Sequence, residues 1–205
     1  MQLLKSTAFM LSVVVIAAML MTRCSNNKST APETTLQQTS SFGGFETKEK
    51  WGEHLVTVGG CNDCHTPKKI TAMGPVIDSS LWLSGHPEHM PIPEIDRKLV
   101  ESKGLAVTNA MTSWVGPWGV SFAANLTSDS TTGIGAWTLE NFITAIRKGK
   151  KSGTPGGRPL LPPMPWEWFK HMSDAELDAI FTYLQYTKPI HNVVPPPLPP
   201  LSAKH

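Results

Sequence analysis

The sequence predicts an all-α domain threaded by long irregular loops, on three observations. Three segments, around Trp51, Phe142 and Ile180, carry apolar side chains at helical spacing with readable starts or stops. Between them run stretches broken by Gly and Pro, and loops that long belong in a compact domain only where they wrap a ligand or carry function. Finally, the pentapeptide Cys61-Asn62-Asp63-Cys64-His65 follows the first helical segment, with no strand pattern before it.

Lys5 places a positive charge ahead of an apolar run from Ala8 to Met21, broken only by Ser12. That length suits the core of a signal peptide and is short for a membrane span. Cys24 then precedes Ser25, Asn26 and Asn27, an arrangement similar to a bacterial lipoprotein signal, in which the cysteine becomes the lipidated first residue. Arg23 stands where such signals favour a small residue, so an uncleaved apolar anchor and an ordinary cleaved signal remain alternatives. The expectation is export to the periplasmic side of a bacterial membrane, with residues 1–24 as leader and Cys24 as lipid anchor. Residues 25–45, rich in Ser, Thr, Gln and Asn, read as a flexible tether. A single domain over residues 46–190 and a proline-rich tail over 191–205 complete the chain.

Trp51, Leu55 and Val58 recur at i, i+4 and i+7 from Thr47 onward, and Gly59-Gly60 stop that helix before the pentapeptide. From Thr66 to about Asn125, Gly74-Pro75, Gly85-His86-Pro87, Pro91 and Pro93 interrupt any long element. One short helix fits between Glu94 and Ser102, with Ile95, Leu99 and Val100 on one side and Gly104 as its stop. Thr138 caps a helix through Leu139, Phe142, Ile143 and Ile146 to Gly149. Its basic end, Arg147, Lys148, Lys150 and Lys151, complements the helix dipole or offers a dock for an acidic partner. Gly153 to Trp168 is a Pro/Gly loop. Ser173 and Glu176 form a capping box ahead of Leu177, Ile180, Phe181 and Leu184, and Pro189 closes this last helix. Trp51 and Leu55 are expected to meet Phe181 and Leu184 across the two end helices. The prolines of the tail favour an extended polyproline II segment on the surface.

C-x-x-C-H is the attachment signature of a c-type haem. Its two thiols add across the haem vinyl groups from one helical turn, and the histidine then reaches the iron. A zinc site needs four ligands, and the only other cysteine, Cys24, lies in the leader. A thioredoxin-like redox pair belongs at a strand-to-helix junction and gains nothing from the histidine. Met164, in Pro162-Pro163-Met164-Pro165-Trp166, is the choice for the sixth iron position, because flanking prolines stiffen the loop around its thioether. Met73, Met90, Met111 and Met172 are its rivals, with His86 and His89 as imidazole alternatives. Met164 as mere core filler is the plainer possibility. A net charge of +2 gives no reason to expect nucleic acid as a partner.

With these strings the sequence resembles the class I c-type cytochromes, over Thr47 to about Pro195. The likeness is greatest to bacterial membrane-associated monohaem subunits carrying Asn125-Leu126-Thr127, Thr132-Gly133-Ile134-Gly135 and Pro163-Met164-Pro165-Trp166. The resemblance implies a cytochrome c-like all-α fold wrapped around one covalent haem c, with the first and last helices crossing. It also implies that Cys61, Cys64, His65 and Met164 hold the haem, and that the Pro75 carbonyl accepts a hydrogen bond from the distal nitrogen of His65. Asn125 and one of Trp114 or Trp118 would meet the haem propionates. The expected role is electron transport by a non-enzyme, with redox proteins as donor and acceptor. The alternatives are a haem subunit of a dehydrogenase or quinol-oxidising complex, and a haem-based ligand sensor.

Overall fold

A computed structural model of the chain describes residues 42–203; the leader, Cys24 and most of the tether lie outside the described residues. Phe42 to Gly44 make a turn in which the Phe45 N–H donates to the Phe42 carbonyl at 2.9 Å, and the Phe45 ring lies 4.7 Å from that of His54. The end of the stretch assigned to the tether thus packs on the domain.

Helix α1 spans Lys48–Val58, and the Thr47 hydroxyl caps it by accepting the Lys50 N–H at 3.1 Å. Gly60, with φ 66°, turns the chain directly into the one-turn helix α2, Cys61–His65. A hairpin of β1 (Lys68–Thr71) and β2 (Gly74–Ile77) follows, with Ile70 opposite Pro75. Helix α3 (Arg97–Ser102) starts at Asp96, whose carboxylate accepts the Leu99 N–H. A second hairpin joins β3 (Ser113–Gly116) to β4 (Gly119–Phe122) through Pro117 and Trp118. Helix α4 (Leu139–Lys148) runs from a Thr138/Asn141 capping box to the left-handed Gly149. Then come the short α5 (Trp166–Phe169) and the long α6 (Asp174–Tyr186), opened by the Ser173/Glu176 capping box.

The two hairpins occupy the stretch read as irregular with one short helix. The first is exposed along nearly its whole length, so no buried face imprints the alternation by which a strand is read. The second is buried through Val115 and Val120, which join Val100 in a small core of their own. In α3, Val100 is buried while Leu99 is 51% exposed, so the two do not share an inward face.

The main core gathers Val56 of α1, Leu83, Ile134, Phe142 of α4, and Leu177 and Leu184 of α6. Its centre is the crossing of α1 and α6. There Gly52 lies so close to α6 that a Cβ on it would stand 1.9 Å from the Ala179 carbonyl oxygen. The inward stripe of α1 is therefore rotated from the expected one: Val56 is fully buried, whereas Val58 is 64% exposed. Leu55 packs against this core together with Phe181, while the Trp51 indole lies where a Cβ on Gly43 would be.

The described part of the proline-rich tail is tied to the domain at Asn192 and Leu198. Asn192 Nδ2 donates to the carbonyls of Ser84 and His86, its Oδ1 accepts the Glu88 N–H, and Leu198 exchanges backbone hydrogen bonds with Val120 at 2.8 and 3.0 Å.

Candidate haem site

Helix α2 presents two sulfurs and one imidazole within five residues. Both thiols are free and half-buried. Burial pushes the Cys61 thiol up to about 11 and moves Cys64 the same way, so both are neutral near pH 7. Among the described residues no three His, Cys, Asp or Glu side chains come together to hold a metal, so the pair lacks there the further ligands of a structural zinc.

His65 is held from two sides. Its carbonyl accepts the Gly85 N–H at 2.8 Å, and its ring Nδ1 lies 2.7 Å from the Ala124 carbonyl oxygen. A carbonyl only accepts, so the proton sits on Nδ1 and the lone pair on Nε2. Burial lowers the pKa of the ring and the bond to Ala124 opposes this in part, which favours the neutral imidazole that binds metals. The two holds are built together. Gly85 adopts φ 80°, and a Cβ there would lie 2.6 Å from the Ala124 carbonyl oxygen.

Ala124 thus takes the place expected of Pro75. Pro75 is exposed in the first hairpin, paired with Ile70, whereas the segment after β4 runs beside His65, as the Ala124 contact shows.

The residues expected at the propionates spend their donors within the chain. Asn125 is buried; its Nδ2 donates to Thr132 Oγ1 and the Ile190 carbonyl, and its Oδ1 accepts from the N–H and hydroxyl of Thr127. The Trp114 indole N–H donates to the Met111 carbonyl, and that of Trp118 to Ser121 Oγ, each at 3.1 Å. As arranged, Asn125 is a junction between the Asn125–Thr132 turn and the tail, and neither tryptophan offers a free donor.

Met164 is half-buried against the core cluster on which Cys61 also packs, and it borders a cavity of about 220 Å³ within its own loop between Leu160 and Trp168. It therefore faces open space as well as core. Among the alternatives, both ring nitrogens of His86 are engaged, by Thr112 and the Met90 carbonyl, while Met73 is 94% exposed at the tip of the first hairpin. Met172 also touches the core, but it precedes the Ser173 cap, where an apolar side chain packs toward the fourth helical residue, here Leu177.

The Met164 loop is anchored at both ends. Upstream, Ser121 Oγ donates to the Pro162 carbonyl at 2.6 Å. Downstream, Arg147 donates to the carbonyls of Lys170 and Met172 and pairs with Asp174. Arg147 is thereby removed from the basic cluster proposed for docking, leaving Lys148 and Lys151 exposed.

Two thiols and a neutral imidazole with Nε2 bare share one helical turn, the donor types that hold a covalent haem, while the Met164 thioether lines a hollow formed by its own loop. Ala124 and Ser121 carry no motif in the sequence, and Gly85 reads there only as a chain breaker.

No family model matches the chain. Over 79 residues, 38% of its length, the chain is 34% identical to one of the subunits of nicotinate dehydrogenase from Pseudomonas putida, and this segment is 6% of that protein. It is 35% identical over 75 residues (36% of the chain, 15% of the relative) to the cytochrome c subunit of the quinone-type alcohol dehydrogenase of Gluconobacter oxydans. With the gluconate 2-dehydrogenase cytochrome c subunit of Pantoea cypripedii it shares 33% identity over 79 residues, 38% of the chain and 16% of the relative. The matched segment is thus a small fraction of each relative. Over it, the chain is similar to cytochrome c subunits of dehydrogenases.

Proposed function

We propose that this chain is an exported cytochrome c domain of the class I type, its helices supplemented by two short hairpins, carrying one covalent haem c and passing single electrons. Cys61 and Cys64 hold the group, His65 and Met164 fill the two axial positions, and the protein has no catalytic chemistry of its own. A haem so held supplies a one-electron iron couple. The observation that carries this reading is His65, fixed as the Nδ1–H tautomer by Ala124 on the same turn as two free thiols. The residues of this chain orient the imidazole, keep it neutral and stiffen the methionine loop, all of which lower the rearrangement that accompanies gain or loss of an electron.

The names of the relatives favour a place beside a dehydrogenase, either as a mobile acceptor of its electrons or as a fixed haem subunit. We place it on the periplasmic side of a membrane, tethered through Cys24. Absorption spectra of the ferric and ferrous protein, followed by carbon monoxide, test the electron-carrier reading. A low-spin spectrum with a weak sulfur-to-iron charge-transfer band, unmoved by carbon monoxide, is expected. Prompt carbon monoxide binding would indicate a ligand sensor instead, and co-purification with a dehydrogenase identifies a fixed subunit.

A further inference from the structure

The second hairpin has no task in the electron-transfer scheme, yet one of its two buried serine hydroxyls, that of Ser121, reaches the methionine loop from 41 residues away. We infer that Trp118 and Ser121 are positioning residues for the axial thioether, holding the Met164 loop through the Pro162 carbonyl. The inference rests on Met164 being the sixth ligand.

The direction of each hydrogen bond follows from chemistry. An indole N–H only donates, so Ser121 Oγ accepts from Trp118 at 3.1 Å. The single hydroxyl proton is then committed to the Pro162 carbonyl, 2.6 Å away. Ser121 is 7% exposed, so water competes little for this bond. The indole itself is seated by Gly116, where a Cβ would come within 2.5 Å of its ring. Gly116, Trp118, Ser121 and Pro162 thus form one chain of contacts that ends two residues before Met164.

The loop needs such an external hold because of its composition. Pro162, Pro163 and Pro165 have no N–H, so this stretch offers few donors to tie it down. The Leu161 and Pro165 carbonyls accept N–H groups from the same segment, those of Met164, Trp168 and Phe169, and the Pro162 carbonyl between them is held by Ser121. A bond of this kind, once lost, releases the loop more often rather than unfolding the domain.

The test uses the full-length haem-loaded protein and its Ser121→Ala, Ser121→Thr and Trp118→Phe variants. The readouts are the charge-transfer band and the rate of carbon monoxide binding to the ferrous form. Ser121→Ala should raise that rate roughly fivefold, the factor equal to one ordinary net hydrogen bond, and lower the pH at which the band disappears. Ser121→Thr should keep the hydroxyl and restore both. Trp118→Phe, which frees the hydroxyl to rotate, should raise the rate by a smaller factor; it carries the test alone if Ser121→Ala does not accumulate. Unchanged band and rate in the variants, even with reduced thermal stability, would mean a merely structural role and overturn the inference. A wild-type protein without the band would instead remove Met164 as ligand, a separate failure.

Discussion

The ring Nδ1 of His65 and the carbonyl oxygen of Ala124 stand 2.7 Å apart, although 59 residues separate them in the chain. This contact fixes the tautomer of the imidazole and raises its basicity, as a hydrogen bond on the far nitrogen of a ligating histidine does. Gly85 makes the contact possible, since any side chain there would strike the Ala124 peptide.

Gly85→Ala should therefore act on both stability and the site. The left-handed backbone and the 2.6 Å approach predict a loss of about 1–3 kcal/mol in denaturant unfolding. With the Ala124 bond weakened, the imidazole donates less to ferric iron and the reduction potential should rise. A potential equal to that of the wild type, in a folded variant, would show that the Ala124 bond does not tune the site.

The crossing of α1 and α6 is set by a hydrogen-sized side chain. Gly52→Ala should abolish accumulation of folded protein, because its Cβ would meet the Ala179 carbonyl at 1.9 Å. Gly156→Ala, with nothing within 4 Å, is the matched control and should change stability by no more than about 0.5 kcal/mol. Leu55→Asp puts a charge into the same packing and should also prevent holo-protein from accumulating. Expression yield and thermal unfolding of the three variants decide the point.

These cases show what was legible in the sequence. Thr138 with Gly149, and Ser173 with Glu176, are readable because a cap lies within four residues of the groups it serves. The pentapeptide is readable because its three donors share one turn. The partner of His65 was not, since a backbone carbonyl leaves no mark on residue type and Ala124 is brought in only by tertiary folding. Ser121 escaped for the same reason. Trp118, which the resemblance offers as a partner of a haem propionate, instead donates its N–H to a serine three residues on.

Arg147 should behave as a structural residue rather than a docking one. It holds two carbonyls and Asp174 between α5 and α6, so Arg147→Ala should cost about 2–3 kcal/mol. Lys148→Ala and Lys151→Ala should leave stability within about 0.5 kcal/mol. If electron transfer to an acidic partner is sensitive to salt, that sensitivity should fall in the lysine variants. Equal unfolding midpoints for all three variants would contradict the division.

The tail is an integral strap. Asn192→Ala removes two donors and one acceptor that hold the Ser84 to Glu88 segment next to His65, and should cost about 2–3 kcal/mol. Native-state hydrogen exchange should show the loss concentrated at Gly85 and His86, whose amides donate to His65 and Ala123. Uniform exchange across the domain would speak against a local strap.

His86 gives the stability a pH dependence. Burial lowers its folded-state pKa below the ordinary 6.5, so protonation favours the unfolded chain. Its contribution is fully present above about pH 6.5 and is lost as the pH falls through that value toward the folded pKa. The slope from this one group is at most ~1.4 kcal/mol per pH unit. Urea midpoints taken from about pH 7.5 down to about pH 5 should fall in the wild type and less in His86→Gln. Parallel curves would remove His86 as the cause.

The most direct measurement is the near-infrared and visible spectrum of the ferric Met164→Ala protein beside that of the wild type. Ligation by His65 and Met164 predicts that the sulfur-to-iron band is present in the wild type and absent in the variant, which turns high-spin and binds carbon monoxide when reduced. A variant whose low-spin spectrum matches the wild type would contradict the account and pass the sixth position to another side chain.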